Sequence, residues 1–133
     1  MPAAAEQFLS DLHRLYLKPR GYRKVRHSFS RAMDGYAEQF EFQGSSFNDA
    51  SRPWRFYINV RVEFPDVPHR PPVRIESVVS GAPKEFDLPA PHADTFVSEI
   101  AGLLASASDQ VASQLPEIRQ AFIEQRYWVG TPT

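Results

Sequence analysis

Nine residues, "FYINVRVEF" at 56–64, put Phe56, Ile58, Val60, Val62 and Phe64 on one side of an extended chain. Tyr57, Asn59, Arg61 and Glu63 fall on the other side. No helix keeps a period of two over that length, so the run is a strand with one dry and one wet face. A second run, "YAEQFEFQ" at 36–43, alternates in the same way. Tyr36, Glu38, Phe40 and Phe42 share one face, with Glu38 near the fraying end, and Gln39, Glu41 and Gln43 share the other. The polar stretch "GSSFNDASRP" joins the two runs as a loop. Strands of this kind belong to an antiparallel sheet that leaves one face in water, and the apolar face then needs a cover.

The rest of the chain supplies it. Phe8, Leu9, Leu12, Leu15 and Tyr16 recur at helical spacing, and Pro19 with Gly21 ends that segment, which predicts a helix over about 4–17. "YRKVRHSFSRAM" reads as one extended run in which Val25, His27, Phe29 and Arg31 face inward. Asp34-Gly35 then marks a hairpin turn. The proline-rich "PDVPHRPP" is an extended connection, and "VRIESVV" reads as a fourth strand, followed by an irregular 80–93. Asp94 or Thr95 suits the cap of a helix with a stripe of Phe96, Ile100, Leu103, Leu104, Ala107 and Val111. Pro116 opens a last helix, "PEIRQAFIEQRYW", with Ile118, Phe122 and Ile123 inside. The expected fold is an α+β two-layer sandwich formed by one domain, 1–133. It has an antiparallel four-stranded sheet with one N-terminal and two C-terminal helices on one face.

Composition removes several function classes. The absence of cysteine excludes disulfides, thiolate metal sites and cysteine nucleophiles. No stretch approaches the roughly 20 apolar residues of a membrane span, and the N-terminus lacks the pattern of a secretory signal, so a cytoplasmic location is expected. His13, His27, His69 and His92 form no ligand motif, and neither a phosphate loop nor a nucleophile elbow is present. No cofactor and no metal are expected. Arg14, Lys18, Arg20, Arg23, Lys24, Arg26 and Arg31 form a run without an acid, while the chain from Pro83 onward is acidic. The two regions can neutralise each other, or the basic run can meet an anionic partner.

Several short stretches together resemble the bacterial domain-of-unknown-function 4304 family. They are Leu17-Lys18, Gly21-Tyr22-Arg23, Phe29-x-Arg31, Phe42-Gln43-x-Ser45 and Tyr57-x-Asn59. Arg61 departs from the pattern, in which a small residue such as glycine follows the asparagine. The resemblance covers the first half of the chain and implies no chemistry. It links some members to toxin–immunity gene neighbourhoods, which favours a binding role.

The expected function is therefore a non-enzymatic protein-binding domain that uses the open sheet face and the loop at 44–53. Its partner would be a toxin in an immunity role, or a second copy of the chain. Its candidate residues are Arg31, Gln43, Trp54, Tyr57, Asn59 and Arg61, because amides hydrogen-bond, arginine pairs with carboxylates and aromatics supply flat area. Arg31 belongs to the set only if its strand turns it to the open face. The bland alternative is a stabilised wet face, with cross-strand pairs such as Glu41–Arg61 contributing roughly 0.2–1 kcal/mol each. A small enzyme with an unrecognised pocket is one further reading. A nucleic-acid module using 14–31 is another, disfavoured by a sequence pI near 6.4.

Overall fold

The computed structural model describes residues 1–128; residues 129–133 of the expected domain lie outside the described ones. The chain begins with α1 (Ala3–Leu12), which buries Ala5, Phe8, Leu9 and Leu12. It continues through a wider π-type turn at His13–Leu17 and a tight 3-10 turn at Lys18–Arg20. Gly21, at φ +91°, closes this run in the left-handed region. Its N–H donates to the Lys18 carbonyl and the Tyr22 N–H to the Leu17 carbonyl, both at 3.0 Å. This is the paired bonding of a Schellman cap, and it needs a residue that tolerates positive φ.

The sheet has six strands, not four. They are β1 (Arg23–Val25), β2 (Ser28–Ala32), β3 (Ala37–Gly44), β4 (Arg55–Glu63), β5 (Val73–Arg74) and β6 (Phe86–Asp87). Order along the sheet is β1-β2-β3-β4-β5, with β6 also on β4, and every pairing is antiparallel. Two departures from the expected strands have local causes. The run at 22–33 folds back on itself at Arg26–His27, with Arg26 at φ +56°, so it forms the β1–β2 hairpin. His27 therefore stands exposed in a turn and does not face the core. The expected fourth strand stops after Val73–Arg74, and a 3-10 turn follows at Ile75–Ser77. Ile75 and Val78, three residues apart, are both buried, which a turn can achieve and a strand cannot. The Asp34-Gly35 turn joins β2 to β3 as expected, with Gly35 at φ +83°.

Phe40, Phe42, Phe56, Ile58, Val60, Val62 and Phe64 form the dry face. α1 covers it through Phe8, whose ring lies 6.1 Å from that of Phe42 and 5.8 Å from that of Phe56. α2 (Asp94–Ser113) starts after Ala93 with no side-chain cap, so neither Asp94 nor Thr95 fills that role. Its buried stripe is Val97, Ile100, Ala101, Leu104, Ala107, Ser108 and Val111, with Phe96 and Leu103 only partly buried. The small residues Ala101, Ala107 and Ser108 turn this face inward. α3 (Leu115–Ile123) buries Ile118 and Phe122, and Phe122 meets Phe64 edge-on at 5.6 Å. Ile123 is exposed, contrary to expectation, because the helix ends there. Trp128 packs into the core. None of the described helices is long and apolar enough to cross a membrane.

Two glycines should respond to alanine with opposite signs. Gly21→Ala forces a Cβ into positive φ and is expected to cost about 1–2 kcal/mol. Gly102 lies inside α2 with open space where a methyl would stand, so Gly102→Ala should stabilise by about 0.8–1 kcal/mol. Urea unfolding of both variants measures this.

Candidate functional site

The strand register sets the open face in rows. One row runs Val25, Ser28, Glu41, Asn59, Arg74. The next runs Arg23, Ser30, Gln39, Arg61. Ala32, Ala37 and Glu63 form a third, and Gln43 lies opposite Tyr57. Glu41 therefore faces Asn59, Arg61 faces Gln39, and no Glu41–Arg61 ion pair forms among the described residues.

Asn59 is the centre of the first row. It is 7% exposed although it points away from the helices. Its amide donates to Glu41 Oε1 (2.8 Å) and Gln43 Oε1 (3.0 Å). Arg74 Nη1 donates to Asn59 Oδ1 (2.8 Å) and to Gln43 Oε1 (3.3 Å). The Arg74 guanidinium carbon sits 4.3 Å from the centre of the Tyr57 ring, a cation–π stack. Glu41, Gln43, Tyr57, Asn59 and Arg74 thus form one bonded platform. Beside it, a trough of about 580 Å³ is bordered by Arg23, Ser30, Gln39, Arg61 and Glu63, and reaches round the sheet edge to the Arg31–Glu38 pair. Neither the Arg23 nor the Arg61 side chain makes a hydrogen bond or ion pair among the described residues, so the trough presents two unpaired guanidinium groups, with the Glu63 carboxylate at one end.

Arg31 and Trp54 do not belong to this face. Arg31 turns to the helix side, where Glu38 is 1% exposed. Its Nε and Nη2 donate to Glu38 Oε1 at 3.2 and 2.8 Å, and its Nη1 donates to the Arg20 carbonyl at 3.0 Å. Tyr22 Oη donates to the same carboxylate oxygen at 2.5 Å. Ser108 Oγ, from α2, reaches Glu38 Oε1 and Oε2 at 2.9 and 3.0 Å. The Arg31 guanidinium also lies over the Tyr22 ring at 4.3 Å. Burial, and then the hydrogen bond to the Glu38 carboxylate, push the Tyr22 hydroxyl well above the usual tyrosine range. Trp54 is 9% exposed and stacks on Phe56 at 5.1 Å, within the core layer.

The sequence held signals for part of this. A two-residue turn at Asp34-Gly35 places Arg31 opposite Glu38, and a carboxylate in line with Phe40 and Phe42 demands a buried cation. Arg74 needed the strand order, and Ser108 needed the rotation of α2. Among the described residues no group of three or more His, Asp or Glu is placed to hold a metal ion.

The molecule is therefore an α+β domain with an ordered polar array on a bare sheet face and a buried carboxylate clamp beneath it. A family model described as "Domain of unknown function (DUF4304)" matches residues 14–114, and the chain belongs to that family. The matched span extends beyond the first half of the chain, holding both polar clusters and leaving out α3. No curated protein and no solved structure gives a match.

The raised Tyr22 pKa makes a pH prediction. Above about pH 10 an unfolded tyrosine releases its proton while the folded Tyr22 keeps it, so the folded state binds more protons. The stability is fully present below that pH and falls above it, by up to about 1.4 kcal/mol per pH unit from this group. Buried Tyr36, raised chiefly by desolvation, adds to the slope. Tyr22→Phe should lower the alkaline slope by about one proton, as read by urea titrations between pH 9 and 11.

Proposed function

We propose that this chain is a non-enzymatic protein-binding domain whose contact surface is the open sheet face. The single observation that supports this most is the bonding of Asn59. Holding a rotamer-rich side chain in one conformation costs up to about 2 kcal/mol, and exposed cross-strand pairs return roughly 0.2–1 kcal/mol. A wet face needs no such order for solubility. An array of Gln43, Asn59 and Arg74, fixed before any encounter, lowers the entropy lost on association. Tyr57 under Arg74 offers the side-chain types that dominate binding energy in protein interfaces.

The partner's chemistry is read from the trough. Arg23 and Arg61 flank uncharged Ser30 and Gln39, which suits a partner that presents carboxylates at this row. A toxin held by its immunity partner is the class that the family resemblance suggests, and it would act in the cytoplasm. Trp54 takes no part in this contact, and Arg31 borders the trough only with a guanidinium already held by Glu38.

The test begins with a partner cross-linked to the intact chain in its host and then purified. Titration against it should show Tyr57→Ala and Arg61→Glu each weakening affinity by tenfold or more. Ile123→Lys, exposed on α3 in the helix layer, should leave affinity unchanged. Equal affinity of all three folded variants would remove the sheet face from the interaction.

A further inference from the structure

A second site lies at the open end of the β3–β4 hairpin, outside the sheet-face array. A cavity of about 720 Å³ opens between the loop at 45–53, the first residues of the chain and the segment after β6. Its volume falls in the range of small-molecule sites. Apolar surface comes from Pro2, Pro53, Trp54, Leu88 and Ala90. Leu88 and Trp54 are buried and tied together, the Leu88 N–H donating to the Trp54 carbonyl at 2.9 Å.

Trp54 carries the argument. The residue is more than nine-tenths buried, while its one polar atom, the indole N–H, is not among the buried unpartnered atoms and stays reachable from the cavity. Neighbouring acceptors are engaged elsewhere. The Asn48 side chain is closed onto Arg55, its Nδ2 donating to the Arg55 carbonyl and its Oδ1 accepting the Arg55 N–H, both at 2.8 Å. Ser45 Oγ accepts the Phe47 N–H at 3.2 Å. Gly44 borders the cavity directly over the indole, and a Cβ there would lie 3.0 Å from Nε1. Glycine thus leaves the N–H uncovered on the cavity side. The ring is held in place by a stack that continues from Trp54 to Phe56 (5.1 Å) and Phe86 (5.2 Å). A fixed donor open to the cavity, beside the apolar Pro53, Leu88 and Ala90 and across from the polar loop residues Asn48, Asp49 and Arg52, is half of a ligand contact.

We propose that this cavity binds a small, flat, largely apolar molecule bearing a carbonyl or carboxylate, whose oxygen accepts the Trp54 indole N–H. The apolar body rests against Pro53, Leu88 and Ala90. The inference does not depend on the sheet face, so either can fail alone.

The experiment uses the full chain labelled with 15N, titrated with 2-naphthoate and separately with 2-methylnaphthalene, which has the same ring system and no acceptor. Two tryptophans give two indole resonances, Trp54 and Trp128. The expected result is a saturable downfield shift of the Trp54 indole proton with 2-naphthoate, at tenfold or more higher affinity than 2-methylnaphthalene. The Trp128 resonance should stay in place. In Trp54→Phe, followed through the Ala90 amide, the two compounds should bind alike. Equal affinity for both in the native chain, equal shifts at both indoles, or no saturable shift would each overturn the proposal. Retained preference for 2-naphthoate in Trp54→Phe would do the same.

Discussion

The carboxylate of Glu38 is the constraint around which the molecule is arranged. A carboxylate taken out of water is costly unless it is paired and hydrogen-bonded, and stripping one partner from a buried ion pair typically destabilises by about 3–5 kcal/mol. Here each partner comes from a different part of the chain. Tyr22 follows the cap of the first helical segment, Arg31 stands across the β2–β3 ladder, and Ser108 projects from α2. The Gly21 cap aims Tyr22, and the carbonyl of Arg20 takes the remaining arm of Arg31. Satisfying one charge therefore fixes the relation between the helix layer and the sheet.

This arrangement explains how the residues of the family pattern divide. Gly21, Tyr22 and Arg31 build the clamp on the helix side, while Gln43, Tyr57 and Asn59 build the platform on the other. β3 carries both centres, with Glu38 turned to one side and Glu41 and Gln43 to the other. Gly44 closes the same strand, and its missing side chain leaves room for Trp54.

Legibility from sequence followed the range of the forces involved. β3 and β4 were readable because a period of two is a local property, and Asp34-Gly35 because its turn chemistry is local. The family resemblance was carried by residues of this same region. The Arg26–His27 hairpin was hidden, since it places arginine at positive φ where glycine or asparagine is the usual signal. "VRIESVV" alternated like a strand, yet the burial of Ile75 with Val78 made it turn. Residue type alone suggests a recognition role for Arg31 and Trp54, whereas their inward direction is set by partners 7 and 2 residues away, Glu38 and Phe56. Arg74 and Ser108 depend on contacts 15 and 70 residues distant, which periodicity does not encode.

The outer edge of β4 has one more consequence. It is the longest strand, and only two short segments lie against that edge: β6 at Arg55 and Phe56, and β5 at Asn59 and Val60. A long exposed edge is a template on which foreign chains can stack into aggregates. β5 and β6 break this edge into short stretches, which limits the run of free backbone groups to which a foreign strand could add.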